Sequence, residues 1–264
     1  MQPALSIATF NVNSIKIRLP NLLAWLQRSP TDIILLQELK CETDAFPRLE
    51  LEAAGYHLAV HGQKTYNGVA VLSKYPLRDV TRALPGMDSD EQARYIECIA
   101  DTPGGPIRVA SAYVPNGQDL ASDKFPYKLG FFDRLHAHWK AVLAHEEIAV
   151  LGGDFNCAPE AIDVYNAKAS DGKICFHPEE RKRLRALMHL GLYDAFRLKH
   201  PATKQFSWWD YRQNSYEQGY GLRIDHLLLS PRAADALVDC HIDEYPRAQD
   251  KPSDHTPVVV TLSF

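Results

Sequence analysis

The hexapeptide LGGDFN (Leu151–Asn156) ends an apolar run in a carboxylate and an amide two residues apart. In extended chain such residues point the same way, so Asp154 and Asn156 are expected to present a base and a donor side by side. The paired glycines before them let the backbone approach another group closely. SDHTP (Ser253–Pro257) sets Asp254 against His255, just ahead of another apolar run. Of the eleven histidines, this one has the most useful acidic company. Asp225 opens the run DHLLLS, and its neighbour His226 must face the other way in a strand. Asp225 is therefore expected to hold His255 in one tautomer, as carboxylates do for catalytic histidines. Neither a G-x-S-x-G elbow nor a G-x-x-x-x-G-K-S/T phosphate loop occurs, which makes an activated water the expected nucleophile.

Glu38 follows IILLQ and so emerges from a buried strand, where an ionised carboxylate needs a partner. A hard, oxygen-seeking cation such as Mg²⁺, with Mn²⁺ as substitute, is a natural one, and Asn13 or Asp254 would help hold it. A structural salt bridge is the plainer alternative. Other polar residues also sit at the ends of apolar runs: Asn11, Gln37, Asn67, Tyr113 and Asn116. Asn and Asp are common turn formers, so each alone says little; their recurrence points to one rim carrying a site. FSWWDYR (Phe206–Arg212) crowds aromatic rings that either pack in the core or stack on a base.

These residues need a scaffold. Strands are expected over Leu5–Val12, Asp32–Glu38, Gly68–Ser73, Arg108–Val114, Ile148–Phe155, Ile224–Ser230 and Pro257–Leu262. Helices are expected over Leu19–Arg28, with Pro20 in a first turn, and over Lys128–His145 and Pro178–Leu190. The loose alternation fits an α/β sandwich with two central sheets and outer helices, in a single domain over residues 1–264.

The remaining bounds concern setting. Five widely spaced cysteines without a C-x-x-C argue against a disulfide framework or zinc knuckle and suit a cytoplasmic protein. No leader or membrane-spanning stretch is apparent. Net charge is −4, yet Lys173–Arg212 holds nine Lys/Arg against four Asp/Glu, which reads either as a solvated helix face or as a local surface that DNA could use.

The motifs NVNSIKIR, LLQELK, NGVAVLS, SAYVPNG, LGGDFN, FSWWDYR, GLRIDHLLLS and KPSDHTPV, in this order, span nearly the whole chain. Together they resemble the exonuclease III-like apurinic/apyrimidinic endonucleases of the endonuclease–exonuclease–phosphatase superfamily. The resemblance implies a deoxyribonuclease I-like, four-layered α/β sandwich and metal-dependent hydrolysis of DNA phosphodiesters in base excision repair. It implies Glu38 as principal metal ligand, with Asp254 in support and a weaker part for Asn13, a position that is Asp in some members. Asp154 matches the residue that activates water, and Asn156 its neighbouring donor. Asn11, Tyr113 and His255 match groups around the scissile phosphate, and Asp225 the partner of that histidine. Trp208 matches the aromatic wall of a pocket for a flipped abasic sugar; Arg94, Asn67 and Asn116 are further substrate-binding candidates.

The expected reaction is in-line attack by water on phosphorus, with Asp154, or alternatively His255, taking the proton. The expected partner is double-stranded DNA with abasic sites, nicks or 3′ ends, bound by a monomer. A 3′-5′ exonuclease or 3′-phosphatase with little activity at internal abasic sites is the nearest rival. The stretch Asp163–His177, and His177 in particular, is the expected place for such control. A small-molecule or lipid phosphodiesterase and a non-catalytic DNA-binding module are the more distant rivals.

Overall fold

The computed structural model describes residues 4–87 and 90–264. Its strands are β1 (Ala4–Asn11), β2 (Ile33–Gln37), β3 (His57–His61), β4 (Val69–Ser73), β5 (Leu77–Arg82), β6 (Tyr95–Thr102), β7 (Gly105–Tyr113), β8 (Ala149–Asp154), β9 (Tyr193–Asp194), β10 (Trp208–Trp209), β11 (Gly221–Leu222), β12 (Asp225–Leu229), β13 (Leu237–Ile242) and β14 (Val258–Ser263). Two six-stranded sheets run in the orders β13-β14-β1-β2-β4-β3 and β5-β6-β7-β8-β12-β9, and β10 and β11 form a small ribbon. Each large sheet has one parallel pair, β1/β2 and β7/β8, and is otherwise antiparallel.

Central strands read as nearly continuous apolar runs because both their faces are covered. In β2, Ile33 and Leu35 face the space between the sheets, while Ile34 and Leu36 turn outward to a helix. In β12, Leu227 and Leu229 face inward and Leu228 outward. One outer layer is α1 (Ile15–Arg28), whose Trp25 and Leu26 pack on Phe10 and Leu36. After the short α2 (Arg48–Ala53) come α3 (Lys124–Leu143), the short α4 (Ala167–Ser170) and α5 (Pro178–Met188). The α3 residues Leu135 and Trp139 and the α5 residue Leu187 cover Ala110 and Leu151 on the other side. The short helices α6 (Ala195–Lys199) and α7 (Pro231–Asp235) complete the set among the described residues. The result is the expected four-layered, deoxyribonuclease I-like α/β sandwich.

Several elements depart from expectation. Helix α1 starts at Ile15, so Pro20 lies inside it rather than in its first turn. Proline removes a bond to the carbonyl of Lys16, an exposed residue where water can take that role. Strand β6 escapes pattern reading because a buried acid interrupts it. Glu97 is satisfied there by Tyr95, His138 and Arg108, at 2.5, 2.7 and 2.6 Å. The paired glycines of LGGDFN are required by packing. A Cβ on Gly152 would lie 2.5 Å from Leu35 Cδ1, and one on Gly153 would lie 1.9 Å from the Ala112 carbonyl oxygen.

Candidate active site

Inward-facing positions alternate along each strand, and at one end of the sandwich they change from apolar to polar. The series Leu5, Ile7, Thr9 ends in Asn11, and the series Ile107, Val109, Ser111 ends in Tyr113. Val150 and Gly152 lead to Asp154; Leu229 and Leu227 lead back to Asp225. Register then aligns the two sheets' contributions. Tyr113 pairs with Asp154 across β7/β8, and Asp225 pairs with Asp154 across β8/β12. From the opposite sheet, Asn11 donates one amide nitrogen to both Glu38 Oε1 and Asp154 Oδ2, each at 2.9 Å. A single side chain thus ties together two acids that lie far apart in the sequence.

Each acid has its own surroundings. Glu38 Oε1 also receives the Tyr113 hydroxyl at 2.9 Å, and its Oε2 receives Lys40 Nζ at 2.8 Å. Burial works to raise the Glu38 pKa, but the Lys40 charge and the hydrogen bonds from Lys40 and Asn11 hold it below the usual value. Burial and the Glu38 and Asp154 charges push the Tyr113 phenol well up, so it remains a donor. Asp154 is about 1 % exposed, and burial, reinforced by Asp225 and Glu38, raises its carboxyl against the pull of His255.

His255 is held by both Asp225 oxygens, with Nδ1 at 2.9 and 3.1 Å. Ser207 Oγ donates to Asp225 Oδ2 at 2.6 Å while accepting the amides of Ile224 and Asp225. His255 Nε2 lies 3.7 Å from Asp154 Oδ2. Burial alone would depress this imidazole, but the Asp225 and Asp154 charges override it and favour the cation. His226 faces away as expected, with Nδ1 at Arg223 and Nε2 at the Cys157 carbonyl.

Asp154 and Asn156 do come together, though not by strand alternation. β8 ends at Asp154, and Asn156 takes a left-handed turn, φ 47°. Its main-chain nitrogen donates to Asp154 Oδ1 at 2.8 Å and its amide to Oδ2 at 3.2 Å. Asn116 then donates to Asn156 Oδ1 at 2.9 Å. Asn13, Asp254 and Trp208 form an adjoining group: Asp254 accepts from Asn13 Nδ2 at 2.8 Å and from Trp208 Nε1 at 3.0 Å. Lys40 also donates to Asn13 Oδ1.

Beside this group opens a pocket of about 280 Å³, lined by Glu38, Asn116, Cys175, Trp208, Leu222 and Ile224 among others. His177 is not part of its lining. It caps α5, its Nδ1 accepting from the Glu179 amide, and Cys175 is the residue of that stretch that reaches the pocket. Arg94 and Asn67 line a neighbouring groove of about 790 Å³ that shares Tyr113 and Asn116 with the site.

Four supporting residues escape the sequence reading. Lys40 stands two places past Glu38, Ser207 adjoins Trp208, and Arg223 lies two places before Asp225. Lys128 continues the apolar stripe of Phe131, Phe132 and Leu135 on α3, an odd position for a charge and the signal that could have found it. It is wholly buried, with Nζ bonded to the carbonyls of Asn116 and Asn156 and to Glu180 Oε1.

Glu38, Asp154 and His255 offer ligand atoms within 4.8 Å of one another. The hard oxygens of the two carboxylates suit a divalent cation. Among known proteins, the model of the endonuclease/exonuclease/phosphatase family matches residues 8–255. The chain belongs to this family. It is 37% identical to exodeoxyribonuclease III of Haemophilus influenzae over 258 residues, 95% of this chain and 97% of that protein. Two solved structures superpose closely. One is the 3′ phosphatase NExo from Neisseria bound to product DNA hairpin, 39% identical, TM-score 0.95, covering 98% of this chain and 100% of that one. The other is an AP endonuclease from Archaeoglobus fulgidus, 38% identical, TM-score 0.93, with the same coverage. Members of the family are metal-dependent, and the acidic group at this rim is where a metal fits.

Proposed function

We propose that this chain hydrolyses DNA phosphodiesters 5′ to abasic sites and removes 3′ nucleotides and 3′-phosphates, using Mg²⁺ or Mn²⁺. The observation that carries the reading is Asn11 bridging Glu38 and Asp154, which sets a carboxylate suited to a cation beside one suited to a proton. Glu38 would hold the cation, with Asn13 and Asp254 beside it, and the ion would neutralise charge on a phosphate oxygen.

The protein's own groups do the rest. Asp154, buried and raised, accepts a proton from the attacking water; His255, favoured as a cation, is better suited to donate. Nε2 of His255 then faces the charge that grows on the phosphoryl oxygens as the 3′-oxygen leaves; the Tyr113 hydroxyl and the amides of Asn11 and Asn156, which here donate to Glu38 and Asp154, would turn toward the same charge when phosphate enters. The pocket at Trp208 takes the abasic sugar, and Arg94, Asn67 and Asn116 meet the neighbouring backbone. Among the described residues no helix is long and apolar enough to cross a membrane. Five buried, free cysteines support a reducing compartment, and we read the chain as a cytoplasmic monomer.

A second reading, 3′ exonuclease and phosphatase action with little abasic cleavage, is favoured by the similarity to NExo, whose structures carry both descriptions. One preparation assayed with Mg²⁺ on abasic duplex, recessed 3′ ends and 3′-phosphate separates the two. The first reading expects turnover on all three; cleavage confined to the last two selects the second. Absence of metal-dependent turnover on every substrate refutes both.

A further inference from the structure

Two exposed tyrosines adjoin the Trp208 pocket. Tyr165 is 41% and Tyr220 43% exposed, and their rings pair with centroids 5.0 Å apart and planes tilted by 35°. Single exposed rings are ordinary on a protein surface; a contiguous pair beside a functional pocket is less so. The pair is fixed to the pocket wall through its backbone. Tyr165 donates its main-chain amide to the Gly221 carbonyl at 3.0 Å, and Val164 bridges Leu222, which lines the pocket. Tyr220 directly precedes β11, the strand that carries Leu222.

Cations stand beside the pair. Exposed Lys204 donates to the Tyr165 carbonyl at 2.9 Å, and exposed Lys168 follows three residues later. Tyr220 and Leu222 are two extended steps apart, a span of roughly 7 Å at about 3.3 Å per residue. That is about two steps of a nucleotide strand, which rises roughly 3.4 Å per nucleotide.

We propose that Tyr165 and Tyr220 form a stacking platform for an unpaired nucleobase, one or two nucleotides from the residue held at the Trp208 pocket. Lys204 and Lys168 meet the phosphates between. The ligand class is a frayed end or single-stranded tail: a base inside a continuous duplex already has both faces stacked and offers none to a ring. Any base qualifies, since each has a π-face. The inference rests on the DNA-hydrolase reading and extends it to substrates with unpaired flanks.

The test uses binding in EDTA, where metal-dependent turnover is suppressed. An abasic duplex carries a short single-stranded tail with 2-aminopurine one or two nucleotides from the lesion; the same duplex without a tail is the control. The wild-type chain should quench the tail fluorescence and bind the tailed duplex more tightly. Tyr165→Ala/Tyr220→Ala should lose the quench and weaken tailed binding about 5- to 150-fold, leaving the untailed control unchanged. Tyr165→Phe/Tyr220→Phe should retain both. If the alanine variant misfolds, Tyr165→Leu/Tyr220→Leu keeps the apolar cover and must show the same loss. An unchanged quench and tail preference in the ring-less variant overturns the platform, as does an equal loss on both substrates. Failure of the wild type to cleave any of the three substrates above overturns the functional reading instead, leaving the quench to decide the platform.

Discussion

Asp225→Asn removes one charge from the site and almost no volume. Asp225 is fully buried, and its oxygens meet only His255 Nδ1 and Ser207 Oγ among the described side chains. An asparagine carbonyl still accepts from Nδ1–H, so the ring keeps its orientation. The imidazole, however, loses the largest of the influences that favour its charged form. Once neutral with its proton on Nδ1, the ring turns a lone pair rather than a donor toward the phosphate. A unit charge about 4 Å from a phosphate oxygen is worth about 4 kcal/mol at an effective dielectric near 20, or roughly a thousandfold. Deletion of a single oxyanion donor costs on the order of 10²–10³, which agrees. The expected result is therefore a 10²–10³ fall in kcat with KM nearly unchanged. The deficit should narrow as pH is lowered, because the neutral imidazole regains its proton. Single-turnover cleavage of an abasic duplex across pH 5.5–8.5 measures both effects. Turnover within about fivefold of wild type at neutral pH, in a variant of unchanged melting temperature, would refute the electrostatic role given to His255.

Four further outcomes follow from the same geometry. Glu38→Gln should raise the metal concentration for half-maximal cleavage by at least roughly 10- to 100-fold, the range seen even for groups that only support a ligand; titration of Mg²⁺ and Mn²⁺ checks it. Asp154 must be ionised to accept a proton, and burial pushes its carboxyl up to about 7. Cleavage should therefore rise with pH along an acid limb at or below that value, drawn lower by positive charge near Glu38; a rate that falls between pH 5 and 7 contradicts the assignment. Lys128→Met breaks a fully buried ion pair and should cost about 3–5 kcal/mol in denaturant unfolding. Lys128→Met/Glu180→Met should recover part of that stability but little activity, because the Asn116 and Asn156 carbonyls stay unanchored. At Asp194, burial raises the carboxyl but the Arg223 charge prevails, so its folded pKa lies below the unfolded value. Its contribution should be complete above roughly pH 4 and lost as pH falls through the folded value; denaturant midpoints taken from pH 2.5 to 6 test this.

Legibility of the chain followed the arrangement of charge. Glu38, Asp154 and Asp225 could be read from sequence because each interrupts or ends an apolar run, where a buried acid needs a reason. Strand β6 could not, because Glu97 breaks its run for structural reasons and is satisfied by partners from α3 and β7. The pairing of Asp154 with Asn156 was anticipated with the wrong cause: a left-handed turn brings them together. Lys40, Ser207 and Lys128 were missed because their value lies in partners distant in the chain or in backbone carbonyls, which leave no periodic trace. His177 shows the converse error, a conspicuous side chain in the right segment used to start a helix.

The inward rows of side chains that begin as core and end as Asn11, Tyr113, Asp154 and Asp225 make the sandwich a caliper. Asn11 is on one jaw and the other three are on the facing jaw; the gap between them is set by the volume of Ile7, Leu35, Val109 and Leu227 packed behind. Cores of this density transmit a change of volume instead of absorbing it. A methylene gained or lost two layers below the rim therefore resets the grip on phosphate, and a displacement near 1 Å can cost about a hundredfold in rate. New substrates are cheaply reached through the loops at the jaw tips. The throat of the caliper tolerates little change of volume.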